Sequence, residues 1–169
     1  MSRYPSEPTG HVRATPLGGR ELVIERSFPA AIGDVWACFT EPERFARWYG
    51  AMVGEPGPGR TIAVTMTAED QVAQQPVKIV SCDPPNSFVV DFGDQGVPWH
   101  LSVDLVAHDG GTRMTFVHTM ADELDATEIG PGWEFYADCL AASMDDVEMP
   151  DWERDGYLAA LGPHYAPPA

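Results

Sequence analysis

The chain has 169 residues, 44% of them hydrophobic, and carries 26 acidic against 10 basic side chains, for a formal net charge of -16. That length and apolar content support one domain with a real core and exclude a disordered protein, while the acidic excess argues against nucleic-acid binding through phosphate neutralisation. No apolar run nears the roughly 20 residues that cross a bilayer, and the polar, proline-containing start from Met1 to Gly10 does not read as a signal peptide. A soluble, cytoplasmic protein that does not insert into membranes is expected.

Residues 1–10 read as a flexible terminus. "HVRAT" and "RELVIERSF" then flank "PLGG", a hairpin in which Gly18 and Gly19 supply the turn geometry. In "AAIGDVWACF" Ile32, Val35, Trp36 and Phe39 recur at i, i+3, i+4 and i+7, which predicts one face of a helix. A second, short helix is expected in "TEPERFARWYG": Thr40 and Glu43 have capping-box spacing, Pro42 suits a first turn, and Gly50 can leave in a left-handed conformation. Phe45, Trp48 and Tyr49 would lean to one side of it.

After the loop "GEPGPGR", five runs of period-two alternation predict an antiparallel meander. Its apolar rows are Ile62, Val64 and Met66; the run from Gln75 to Cys82; Phe88, Val90 and Phe92; Trp99, Leu101, Val103 and Leu105; and Met114, Phe116 and His118. The longest helix is expected from about Pro131 to Val147, with Gly130 as its cap and Pro131 at its first position. Trp133, Tyr136, Ala137, Leu140, Ala141 and Met144 form its apolar stripe, shallow in the middle at the two alanines, while Glu134, Asp138 and Asp145 point away. Residues 150–169 read as a tail that Trp152, Tyr157 and Leu158 pin to the domain.

Cys38, Cys82 and Cys139 are odd in number and lack CxxC spacing, so buried free thiols are expected. Twelve acidic residues between Asp122 and Asp155 read as a solvated negative surface, and Asp145, Asp146, Glu148 and Asp151 lack the spacing of a calcium loop. Gly54, Gly57 and Gly59 are not followed by a Lys-Ser or Lys-Thr pair, GxSxG and HExxH are absent, and His11, His100, His108, His118 and His164 show no ligand spacing. No metal, no cofactor and no catalytic residue is assigned. His118 stands out because alternation puts its imidazole on the face of Met114 and Phe116. There it is either a satisfied structural group or a polar anchor in a cavity, able to bind a hydroxyl or carboxylate or to shuttle a proton, with the Tyr136 phenol opposite.

The element order, together with "LVIERSFPAAIGDVWACFTEPERFARWYG", "DPPNSFVVDF", "GGTRMTFVH" and "GWEFYADCLAASM", resembles the START-like SRPBCC superfamily. More narrowly, it resembles the family related to the C-terminal domain of the activator of heat-shock-protein-90 ATPase. The likeness runs from about Arg20 to Met149, within a domain placed at residues 11–149. It implies an α+β helix-grip fold, in which a curved antiparallel sheet wraps around a long C-terminal helix and leaves a cavity between them. Candidate cavity-lining residues are Trp36, Phe45, Trp48, Tyr49, Val64, Met66, Phe92, Trp99, Leu101, Met114, Phe116, His118, Trp133, Tyr136 and Leu140. The implied partner is a small hydrophobic or aromatic molecule. Fold alone does not decide function, so two alternatives stand beside binding: a cyclase- or hydrolase-like enzyme using the same cavity, and a stress-related protein-interaction domain. A homodimer is left open.

Overall fold

The computed structural model describes residues 3–68, 73–94 and 96–168. The alternating runs become the strands β1 (Gly10–Ala14), β2 (Arg20–Phe28), β3 (Gly50–Val53), β4 (Thr61–Met66), β5 (Gln75–Asp83), β6 (Ser87–Phe92), β7 (Trp99–His108) and β8 (Gly111–Met120). They form one antiparallel sheet in the order β1-β2-β8-β7-β6-β5-β4-β3. Because side chains alternate with period two, the register decides which rows meet. Leu22 lies opposite His118, His118 opposite Leu101, Leu101 opposite Val90, and Val90 opposite Ile79. One apolar surface therefore runs across five strands, and the curved sheet wraps it around the helix α3 (Ala126–Asp145).

Between β2 and β3 stand α1 (Ile32–Thr40) and α2 (Pro42–Phe45). The predicted capping box does not form. Thr40 is the last residue of α1, its hydroxyl donates back to the Trp36 carbonyl at 3.0 Å, and Glu41 takes the position before α2. Pro42 is the cause: the residue before a proline is driven out of the helical region, and Glu41 has φ -89° and ψ 121°. Gly50 also plays a different part from the one expected. It opens β3, a strand too short for periodicity to reveal, and a Cβ there would fall 2.0 Å from the Thr65 carbonyl oxygen. Its need for glycine is close backbone approach.

The long helix starts earlier than its proline suggests. Asp125 caps it, its carboxylate accepting from the Thr127 backbone N–H at 2.9 Å, so Pro131 lies inside the helix and only the bond to the Thr127 carbonyl is forgone. The helix closes at Asp145, with Asp146 in the left-handed region at φ 52°.

Glu134 and Asp138 do not point to solvent, as the stripe alone predicts; each is 1% exposed. Arg26, on the helix-facing row of β2, bridges them at 2.8 and 2.7 Å. Glu134 Oε1 also accepts from the backbone N–H groups of Thr9 and Gly10, both at 2.9 Å, and from the Tyr165 hydroxyl. Asp138 Oδ2 accepts from the Ser6 N–H at 3.1 Å and the Tyr157 hydroxyl at 2.7 Å. One guanidinium against two carboxylates leaves a negative charge, which these donors stabilise. Burial, followed by the neighbouring carboxylate, holds both phenols protonated, their pKa values pushed well above the ordinary tyrosine range.

Both chain ends are thus tied to one face of α3. Residues 6–10, expected to be loose, supply the three backbone donors. Beyond residue 150 the chain folds into α4 (Tyr157–Leu161) and a 3-10 turn over Gly162–Tyr165. Tyr157 and Trp152 fasten this segment, their rings stacked with centroids 5.8 Å apart. Leu158 does not contribute: it is 49% exposed, and Leu161 and Tyr165 occupy the buried positions instead.

Candidate ligand cavity

The opposite face of α3 meets the sheet across open space. Trp133, Tyr136, Ala137 and Leu140 from the helix face Val64, Phe92, Leu101, Met114 and Phe116 from the strands, and Phe45, Trp48 and Tyr49 close one end. Together they line a chamber of about 140 Å³. The closing cluster holds its shape through ring contacts: Phe45 to Trp48 at 5.6 Å, Phe45 to Tyr49 at 5.1 Å, and Tyr49 to Tyr136 across the gap at 4.6 Å. Trp48 donates its indole N–H to the Cys38 carbonyl at 2.9 Å, which fixes its ring and leaves an apolar surface towards the chamber.

Residues that the candidate set lacks complete the wall: Ile24, Phe39, Met52, Ile62, Val77, Phe88, Val90, Val103 and Ala137. Most were legible as the helix-facing row of their strands, and only Met52, in the unforeseen β3, carried no sequence signal. Four of the candidates lie elsewhere. Trp36 packs on Phe88 at 5.9 Å from the α1 side, outside the chamber. Met66 and Trp99 line a second, larger space of about 850 Å³ that adjoins the first. Tyr49, Phe92, Trp133 and Tyr136 wall both spaces, so four aromatic rings separate an inner chamber from an outer vestibule. Ala141, expected at the shallow centre of the helix, packs in the apolar cluster around Val35 and Leu140, and only Ala137 reaches the void.

His118 is also off the wall. It is fully buried, its ring 4.6 Å from that of Trp99, and its Nδ1 accepts the Trp133 indole N–H at 3.1 Å. In the neutral ring the remaining proton then sits on Nε2, which finds no partner among the described residues. Burial lowers the pKa of His118 to about 4, so it is neutral near pH 7 and acts as the acceptor that orients Trp133, a ring shared by chamber and vestibule. Of the cysteines, Cys38 and Cys139 are buried free thiols and Cys82 is half-buried; burial pushes the Cys139 thiol up to about 12. Among the described residues no trio of His, Cys, Asp or Glu side chains is placed to hold a metal ion, and no helix is long and apolar enough to cross a membrane.

Comparison with known proteins places this geometry. The crystal structure of CalU16 from Micromonospora echinospora superposes with a TM-score of 0.73 at 22% identity, covering 94% of each chain. The solution structure of the BPP1335 product of Bordetella parapertussis gives 0.72 at 20% identity, over 96% of this chain and 94% of that one. DynU16, a protein of the dynemicin biosynthetic locus, gives 0.67 at 18% identity over 74% of this chain and 47% of that one. At these identities the likeness establishes the fold. No curated protein sequence matches the chain. The model of the family described as activator of Hsp90 ATPase homolog 1-like protein matches residues 29–145, from the end of β2 to the end of α3. The chain is a member of that family, a helix-grip protein of the START-like SRPBCC superfamily.

Proposed function

We propose that the protein binds a small hydrophobic or aromatic molecule, and that the bound portion reaching the inner chamber is about one ring in size. The observation that carries this reading is the chamber itself. Native interiors hold few voids larger than a water molecule, whereas this one, at about 140 Å³, matches the roughly 150 Å³ of an apolar cavity that stays dry and takes up benzene. It is smaller than the roughly 300 Å³ at which drug-sized pockets begin, so a larger ligand extends into the vestibule. The presence of DynU16 in a biosynthetic locus supports a small molecule as the partner.

A binding role is favoured over a catalytic one because the titratable group that sequence pattern put nearest the cavity, His118, lies behind Trp99 and Trp133 and is held neutral. The described lining of the chamber comes from one chain. Free thiols support a reducing compartment such as the cytoplasm, and the acidic charge balance supports a partner other than nucleic acid.

The test is titration with benzene and with indole, followed by calorimetry and by the shift in melting temperature. Binding is expected in the wild type and loss of at least tenfold in affinity for Ala137→Leu, which puts a branched side chain into the void while circular dichroism stays native. Wild-type protein that binds neither probe overturns the reading.

A further inference from the structure

Resting on that reading, we propose that the vestibule recognises a cationic group, so that the ligand is an elongated amphiphile with an apolar ring in the chamber and a protonated amine outside it. The vestibule has about six times the volume of the chamber and shares Tyr49, Phe92, Trp133 and Tyr136 with it. Whatever part of a ligand exceeds one ring therefore lies there.

The described lining of this outer space contains three carboxylates and no Lys, Arg or His side chain. Glu128 comes from the first turn of α3, and Asp151 and Glu153 from the segment that follows the helix. Neither Glu128 nor Glu153 takes part in the ion pairs found among the described residues, all of which involve other acids. Asp151 is partly committed, since its carboxylate accepts the Arg154 backbone N–H at 2.8 Å.

Aromatic faces supply the second half of the chemistry. Trp99 and Trp152 line the same space, the latter held in place by its stacking on Tyr157. A ring face attracts a cation through its quadrupole, most strongly for tryptophan; Trp99 and Trp152 are half-buried, while Glu128, Asp151 and Glu153 are exposed. Indoles and unpaired carboxylates on one concave wall favour an ammonium, give a neutral group no gain, and repel an anion. The start of α3, where the helix dipole would otherwise welcome an anion, is already occupied by Asp125 and Glu128.

Three probes with one phenyl ring and one chain length separate these cases: 4-phenylbutylamine, 4-phenylbutan-1-ol and 4-phenylbutyrate, titrated by calorimetry at pH 7. The amine is expected to bind about fivefold more tightly than the alcohol and the acid more weakly than either. In the double variant Glu128→Gln, Glu153→Gln the amine should fall to within about twofold of the alcohol, whose own affinity stays unchanged. An amine no tighter than the alcohol overturns the cationic site and leaves the chamber reading intact. So does a preference that the double variant leaves at about fivefold, because the two carboxylates then contribute nothing to it. Failure of all three probes to bind the wild type overturns the chamber reading itself.

Discussion

The two faces of α3 bury opposite chemistry and are packed to opposite degrees. On one face Glu134 and Asp138 are surrounded by Arg26, two phenols and three backbone donors, and the space around them is closed by both ends of the chain. On the other, Trp133, Tyr136, Ala137 and Leu140 face a void. The asymmetry is the reverse of what cost alone predicts, because unpaired buried charge is expensive and apolar contact is easily made. A helix so firmly anchored on its polar side can leave its apolar side unfilled without collapsing onto the sheet. The polar face is thus the support and the apolar face the site.

The largest expected effect comes from breaking the support. Arg26→Met keeps an unbranched apolar stem and removes the guanidinium with its charge, leaving two carboxylates buried without a counter-ion. A loss of about 3 to 5 kcal/mol is expected by chemical denaturation. A loss below about 1 kcal/mol would mean that the terminal segments open and hydrate the carboxylates, and that the anchored face is not what holds the helix away from the sheet.

Acid should weaken the other face through His118, by a somewhat smaller amount. Its pKa is about 4 in the folded protein against an ordinary value of 6.5, the shift arising from burial. Between those values the unfolded chain binds a proton that the folded chain does not. Stability from this group is therefore complete above about pH 6.5 and is lost as pH falls towards 4, by about 3 kcal/mol in all. His118→Asn, whose amide oxygen takes the place of Nδ1 as acceptor for the Trp133 indole, should flatten that part of the profile. An unchanged slope between pH 6.5 and 4 would show that other groups govern it.

This division between support and site also separates what was legible in the sequence from what was not. The apolar wall could be read because it is periodic: alternation in β4, β6, β7 and β8 and the stripe on α3 each place residues on one face without knowledge of partners. The void could not, since periodicity says which way Ala137 points and not whether Ala141 shares its neighbours. His118 shows the same limit, its row correctly identified and its place behind two indoles set by contacts between distant elements. The ionic network escapes sequence pattern for a different reason. A carboxylate opposite an apolar stripe ordinarily faces water, and what covers Glu134 and Asp138 comes from Thr9, Arg26 and Tyr165, which lie 125, 108 and 31 residues away in the chain. The helix start was recoverable: Asp125 and Glu128 have capping spacing, but Pro131 offered a competing signal of the same kind.

The finest test uses two glycines of α3 that lie two positions apart, on different sides of the helix. A Cβ built on Gly130 would fall 2.4 to 2.7 Å from the Tyr165 ring, against the sealed face, whereas one built on Gly132 meets no described atom within 4 Å, because that residue borders the vestibule. Replacing glycine by alanine inside a helix gains about 0.5 to 1 kcal/mol when the methyl group is accommodated, since the unfolded chain loses freedom. Gly132→Ala should therefore stabilise the protein by that amount. Gly130→Ala should destabilise it by about 1 to 3 kcal/mol, because the Tyr165 ring is held by its bond to Glu134 and cannot retreat without leaving that carboxylate short of a donor. Opposite signs from the same substitution, read from two denaturation midpoints, would show that one side of the helix is full and the other open. Equal signs would remove the distinction on which the binding site depends.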